Sequence, residues 1–297
     1  MRADRPSTTA ALVAAGTMFV ARDAGLGHLV PEGAEVWSAR CLHAVSARRL
    51  AVTRAVSHRG LRWAPRLAER LSVPGLLLHF VLRKRWIEEA VRAQIRNGCE
   101  QVVLIGAGFD TLGVRLAPDL PHVGFIEIDH PATQAAKRRA LAQGAGPANL
   151  HLVTADLARV DLAHALDDAP AYRREARTVF VVEGVLMYLS HAEVEAVFAA
   201  LRTLQPRAGA VVFTVMEPAA DGVARFHNAT PLVRRLLAAW NEPFASMLPR
   251  GEVERFVGRW GLRVDALADS AVLRTRYLSS ASSPALARGE LLVLATR

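Results

Sequence analysis

The run QVVLIGAGFDT, Gln101 to Thr111, carries a short apolar strand straight into Gly106-Ala107-Gly108. A buried strand that leaves through a glycine turn into a helix marks the ligand edge of a parallel α/β sheet, because glycine lets the backbone turn tightly and approach a bound group. From Gln101 onward the chain alternates in the same way. Short β-branched runs at Gln101 to Ile105, Val123 to Ile128, Leu150 to Val153, Val179 to Val182, Ala210 to Val215, Leu262 to Ala266 and Glu290 to Ala295 alternate with helical stretches. That alternation is how βαβ units are written, and it predicts a seven-stranded sheet. Helix boundaries support it: Pro131 stands at a first-turn position after Asp129, with Gly144 and Gly146 closing that helix. Ser190 with Glu193 forms a capping box, and Pro206 with Gly209 ends the helix that it opens.

Residues 1 to 98 show no comparable strands and read as helices broken at Pro31 to Gly33, Gly60 and Pro74-Gly75. The expected organisation is a helical cap over 1–98 and a core over 99–297. A lid at about 217–250 is marked by Pro218, Gly222, Pro231, Pro243 and Pro249. With 297 residues, 52% hydrophobic and 22% charged, the chain can bury a large core. No apolar run reaches the length of a membrane span. Ala10 to Ala21, behind Arg2 and Arg5, has no small-residue cleavage site after it, and Cys41 and Cys99 are too few for a disulfide framework. Both point to the cytoplasm. The net charge of +9 is concentrated early: residues 1–100 hold 16 Lys and Arg against 8 Asp and Glu, the remainder 21 against 20. Only Lys84 and Lys137 are lysines, an arginine bias that coding composition explains as readily as selection for charge.

Several residues carry chemistry. Thr111 occupies the place of a dinucleotide fingerprint's third glycine, and Asp110 puts a carboxylate where a pyrophosphate would sit, so NAD is disfavoured. Glu127 and Asp129 point the same way along the second strand; Asp129, at its end, is placed to take both hydroxyls of a ribose, with a helix cap ahead of Pro131 as the competing role. After the third strand, Asp156 can accept from an adenine amino group while Leu157 covers the ring. Glu183 ends an apolar strand in VVEGVLMYLS, where a buried ion needs partners.

These segments resemble the leucine carboxyl methyltransferase family of S-adenosylmethionine (AdoMet) dependent enzymes, in particular its bacterial branch associated with small-molecule O-methylation and secondary metabolism. The resemblance rests on LRKRWIEEAV (Leu82 to Val91), QVVLIGAGFDTLGVRL (Gln101 to Leu116), FIEIDHP (Phe125 to Pro131), TADL (Thr154 to Leu157) and EGVLMYLS (Glu183 to Ser190). It implies an α/β, Rossmann-like class I methyltransferase fold, mostly parallel with an antiparallel last strand. It also implies cofactor contacts from Arg83, Gly106, Gly108, Asp129, Asp156, Leu157 and Glu183. The family's basic residue in the first helix falls here at Gly16-Thr17, leaving Arg22 as a substitute or Arg83 alone; Arg83 also reads as part of a solvated Arg83-Lys84-Arg85 run. Arg115 is expected to brace Asp110 or a nearby acid.

A carboxylate acceptor is already ionised and needs no general base, whereas a hydroxyl needs one. Tyr188 and His227 are the candidates for a base, His191 reads as a solvated first-turn residue, and none belongs to a dyad. No metal-binding pattern is present. The expected function is therefore O-methylation of a small-molecule carboxylate, with a hydroxyl acceptor as the alternative. The acceptor is expected to be an anion with an apolar body, suited to the arginines of the cap and to Trp37, Trp63, Phe80, Phe226, Trp240 and Phe244. Arg62, Arg66 and Arg70 equally suit one solvated helix face. Nucleic acid is disfavoured by 6% aromatics and the lack of an Asn-Pro-Pro-Tyr type tetrapeptide, although a nucleic-acid binder and a non-catalytic AdoMet-binding protein remain as other classes. Monomer and homodimer are both compatible with the sequence.

Overall fold

The computed structural model describes residues 6–58, 60–144, 146–157, 160–204, 209–231, 244–278 and 284–297. Seven strands form one sheet: β1 (Gln101–Ile105), β2 (Gly124–Asp129), β3 (Leu150–Thr154), β4 (Thr178–Val182), β5 (Ala210–Met216), β6 (Arg263–Ala268) and β7 (Glu290–Thr296). Their order is β3-β2-β1-β4-β5-β7-β6, with β7 antiparallel to both neighbours and the other pairs parallel. Each expected strand is present, with ends that move by one or two residues. The order reverses between β1 and β4, and the crevice outside the strand carboxyl ends at such a point is where open α/β sheets bind ligands.

Side chains alternate along the central strands and so divide between two cores. Val102 and Leu104 of β1, with Val179 and Val181 of β4, face one core; Val103, Ile105, Phe180 and Val182 face the other. The first core is closed by α5 (Leu76–Arg96), whose Leu78, Leu82, Trp86 and Val91 recur at helical spacing and are buried. Thus α5, read from sequence as part of the cap, packs directly on the sheet. The second core is closed by α8 (Leu162–Asp167), α9 (His191–Leu204) and α10 (Val253–Gly258). On α9, Phe198 meets Phe213 and Phe256 edge-on. The helix α9 opens with the expected capping box, Ser190 N donating to Glu193 Oε2 at 2.7 Å and Glu193 N to Ser190 Oγ at 3.3 Å.

A third cluster joins α1 (Thr8–Ala21), α2 (Ala34–Val45), α3 (Ala47–Val56) and α7 (Pro131–Leu141) through Met18, Leu42, Leu50 and Ala136. It lays α1 over the glycine turn, with Ala10 Cβ 3.1 Å from where a Gly108 Cβ would stand. The short α6 (Leu112–Leu116) follows that turn, α4 (Trp63–Leu71) lies between α3 and α5, and α11 (Ser270–Tyr277) connects β6 towards β7. Pro206, Trp240 and Pro243, and with the last two part of the expected lid, fall outside the described residues. No helix among the described residues is long and apolar enough to cross a membrane.

Candidate active site

A cavity of about 690 Å³ opens at the carboxyl ends of β1 to β4. Arg83, Gly106, Gly108, Asp129, Asp156, Leu157 and Glu183, the seven residues singled out from sequence for a cofactor, all line it. The turn after β1 is possible because Gly106 and Gly108 hold φ of 66° and 53°. A Cβ on Gly106 would stand 2.4 Å from Val185 Cγ2, so a side chain there would add the displacement of Val185 to a strained left-handed backbone. Asp129 fastens this turn: Gly108 N donates to its Oδ2 and His130 N to its Oδ1, each at 2.6 Å. The cap of α7 is instead the His130 ring, which accepts from Ala132 N at 3.3 Å, so the helix-cap role weighed for Asp129 belongs to its neighbour. Burial pushes the Asp129 carboxyl up, against the two backbone donors.

Beside the turn lies a buried ion network. Arg83 Nε donates to Glu183 Oε1 at 2.9 Å and its Nη1 to Glu290 Oε1 at 2.9 Å, while His79 Nε2 meets Glu290 Oε2 at 2.7 Å. Lys84 Nζ lies 2.6 Å from Asp110 Oδ2 and 3.2 Å from Glu183 Oε1. Arg83 is thus 5% exposed, not a solvated member of a charge run. Burial works against every charge in the group. In Asp110 it is outweighed by Lys84 and Lys137, which hold the carboxyl well below the usual range. In Glu290 it is outweighed by Arg83 and His79, leaving the carboxyl near 2. In Glu183 burial prevails over Lys84 and Arg83 and the carboxyl is pushed up. Lys137, fully buried and ion-paired with Glu127, donates from Nζ to the Asp110 carbonyl at 2.6 Å and so pins the turn from below.

Lys84, Glu290 and His79 were not among the residues expected at the site. Glu290 carried the signal that found Glu183, an acid at the end of an apolar strand, and only the antiparallel return of β7 brings it to Arg83. Several expectations are corrected. Arg22 cannot replace the missing first-helix contact, because it pairs with Glu35 at 2.9 Å on the surface and does not line the cavity. Arg115 does brace a nearby acid, Glu88 at 2.6 Å, while Lys84 takes the place beside Asp110. His227 is exposed, its ring packed where a Gly289 Cβ would stand, and it does not line the cavity; Tyr188 does. His191 is exposed at the start of α9, as expected from the sequence. Arg62 is buried on Phe19 O and Asp23, so Arg62, Arg66 and Arg70 do not form one solvated face.

A second chamber of about 610 Å³ adjoins the first, and the two share Thr9, Phe80, Tyr188, Phe226 and Phe244. The rings stack edge-on: Tyr188 to Phe244 at 5.5 Å and Phe226 to Phe244 at 6.0 Å between centroids. Three of the six aromatics weighed from sequence, Phe80, Phe226 and Phe244, therefore stand at this collar. Trp63 is 61% exposed and Trp37 stacks on Arg40.

The comparisons with known proteins agree with this geometry. The candidate AdoMet-dependent methyltransferase YktD of Bacillus subtilis is 27% identical over 185 residues, 61% of this chain and 60% of its own length. One from Parafrankia is 35% identical over 119 residues, 39% of this chain and 37% of its own. The matches thus span less than two thirds of either relative. Among solved structures, a candidate methyltransferase from Thermobifida fusca has a TM-score of 0.57 at 17% identity, covering 92% of this chain and 97% of that one. A protein of the family DUF574 from Streptomyces avermitilis also scores 0.57, at 15% identity, covering 88% and 97%. These two share the fold. The family model for leucine carboxyl methyltransferase matches residues 36–202, more than half of the sequence and all the strands that carry the glycine turn and its acids, and the chain belongs to that family.

Proposed function

We propose that the protein is an AdoMet-dependent O-methyltransferase whose acceptor is a small-molecule carboxylate, giving a methyl ester. The observation that carries the cofactor is one cavity uniting the glycine turn with the acids after β2, β3 and β4. Among the described residues, Asp110, Asp129, Asp156, Glu183 and Glu193 line it against Arg83 and Lys84. AdoMet has a sulfonium, an ammonium and one carboxylate, so an acid-rich cavity with one cationic corner suits its charge.

Asp129 would take the ribose hydroxyls and Asp156 the adenine amino group, with Leu157 over the ring. Glu183 would receive the ammonium. Lys84 and the Arg83 Nη2 would hold the carboxylate, since the bonds from Arg83 to Glu183 and Glu290 use only Nε and Nη1. Bound there, AdoMet would supply an electrophilic methyl group, with its sulfur as the leaving group, to an acceptor oxygen. The protein's part is to hold the two reactants in line and exclude water, which α1 and the aromatic collar are placed to do.

The collar favours a carboxylate acceptor because its five residues include no histidine and no acid; Tyr188 is its one titratable group. An ionised carboxylate needs no proton removed. The deciding experiment supplies methyl-labelled AdoMet with a panel of carboxylic acids and phenols and then treats the products with mild alkali. Label released as methanol is expected, since esters hydrolyse and ethers do not; label wholly stable to alkali overturns the carboxylate reading. Tyr188→Phe should keep turnover within about tenfold, because losing a general base costs about 100-fold or more.

A further inference from the structure

The second chamber is lined by apolar side chains from α1, α2, α3 and the start of α5, among them Leu12, Leu42, Val52 and Leu76. Among the described residues, Arg48 and Arg49 are the only charged ones in its lining, and neither lines the first cavity. Both are exposed, and among the described residues neither has a carboxylate partner. That sets them apart from Arg22, Arg62, Arg83 and Arg115, each of which is paired. The molecule therefore has a chamber that meets the donor cavity only at an aromatic collar, has walls that suit hydrocarbon, and ends in two cations free to take an anion.

We propose that this chamber is the acceptor site and that the acceptor carries two anionic groups. One is the carboxylate that reacts at the collar of Thr9, Phe80, Tyr188, Phe226 and Phe244; the other is held by Arg48 and Arg49, with an aliphatic or aryl body between them. The proposal rests on the methyl-transfer reading above and names the substrate class within it. A monoacid held by the arginines would be kept away from the collar, since neither arginine reaches the donor cavity, so the anion they bind has to be a second one. The chamber's size is that of an ordinary small-ligand pocket, which on average spans about 300 to 1,000 Å³. The transfer step is as written for one carboxylate: an oxygen–carbon bond forms, a carbon–sulfur bond breaks, and no proton, oxidant or reductant enters.

Straight-chain α,ω-dicarboxylic acids and the corresponding monoacids are the probes. The wild-type protein is expected to esterify one end of a diacid with kcat/KM about tenfold above the matching monoacid, the size expected for two partly exposed ion pairs. In Arg48→Ala/Arg49→Ala that preference should collapse, and in Arg48→Glu/Arg49→Glu an ω-amino acid should overtake the diacid. Equal rates for diacid and monoacid in the wild type, or a diacid preference that survives both double variants, overturns the proposal. Calorimetry of the diacid on the S-adenosylhomocysteine complex separates this from failure of the function itself. If no acid is esterified, diacid binding that both double variants abolish still supports the anion anchor, and its absence in the wild type refutes it. S-adenosylhomocysteine affinity measured in every variant reports that the fold and donor cavity are intact.

Discussion

Arg83 is held from two sides, by Glu183 at the end of β4 and by Glu290 at the start of β7, and Glu290 in turn is held by His79 one helical turn earlier on α5. The guanidinium thereby sets the direction of Glu183, the acid proposed above to receive the cofactor's ammonium, and it bears on the cavity through what it orients. Breaking such a buried pair by truncating one partner costs about 3 to 5 kcal/mol, so Arg83→Ala tests stability before it tests ligand binding. The pH dependence follows from Glu290. Its carboxyl stands near 2 in the folded protein against an ordinary value of 4.5, so its stabilising contribution is complete above 4.5 and is lost as pH falls from there through 2. The denaturation midpoint of the wild type should accordingly fall more steeply with acid across that window than that of Glu290→Gln; parallel curves would show that Glu290 does not carry the effect. Glu183 was legible because a lone acid on an apolar strand demands a partner. Lys84 was not, because in a run of three consecutive cations nothing local says which of them faces inward, and the acids that decide it lie 26 and 99 positions away.

At the scale of elements, β-branched runs and capping signals sufficed to place all seven strands, since each is either buried on both faces or bounded by proline, glycine or a capping box. The role of α5 was harder to see. Its apolar residues at helical spacing say that one face is buried, but not that the burial is against β1, β4, β5 and β7, which lie beyond it in sequence. Its start is a strict constraint: Gly75 has φ of 80°, and a Cβ there would lie 2.1 Å from Ala285 O. Since α5 carries His79, Arg83 and Lys84, any shift at Gly75 is transmitted to the ion network. Gly75→Ala should lose about 2 to 5 kcal/mol of stability, adding a left-handed penalty to steric overpacking. Gly251→Ala, with nothing within 4 Å of its Cβ and no left-handed backbone, should change stability by no more than about 0.5 kcal/mol. Urea denaturation of the two variants makes the comparison, and equal midpoints would contradict it.

Over the whole molecule, the excess positive charge of the first hundred residues is partly spent on internal partners, as Arg62 and Arg66 on Asp23 and Arg92 on Glu88 show. Sequence could register that excess and an i,i+4 pair such as Arg92 with Glu88, but not which arginines are left over, because Arg62 and Arg66 pair with an acid 39 and 43 positions away. The two lysines have a different consequence. Both side-chain amines of the chain converge on Asp110, Lys84 on its carboxylate and Lys137 on its carbonyl, with side-chain exposures of 13% and 2%. A reagent that acylates amines therefore finds no lysine on the outer surface, and its slow reaction with Lys84 becomes a footprint of the cavity beside the glycine turn. Mass spectrometry of the native protein should show Lys84 modified slowly, protected further by S-adenosylhomocysteine, and Lys137 modified only once denaturant opens the fold. Labelling of Lys137 in the native state as fast as Lys84 would contradict this. Because arginine supplies nearly all the positive charge, acylation leaves nearly all of the cationic surface unblocked, and the same chemistry doubles as a gauge of cavity occupancy.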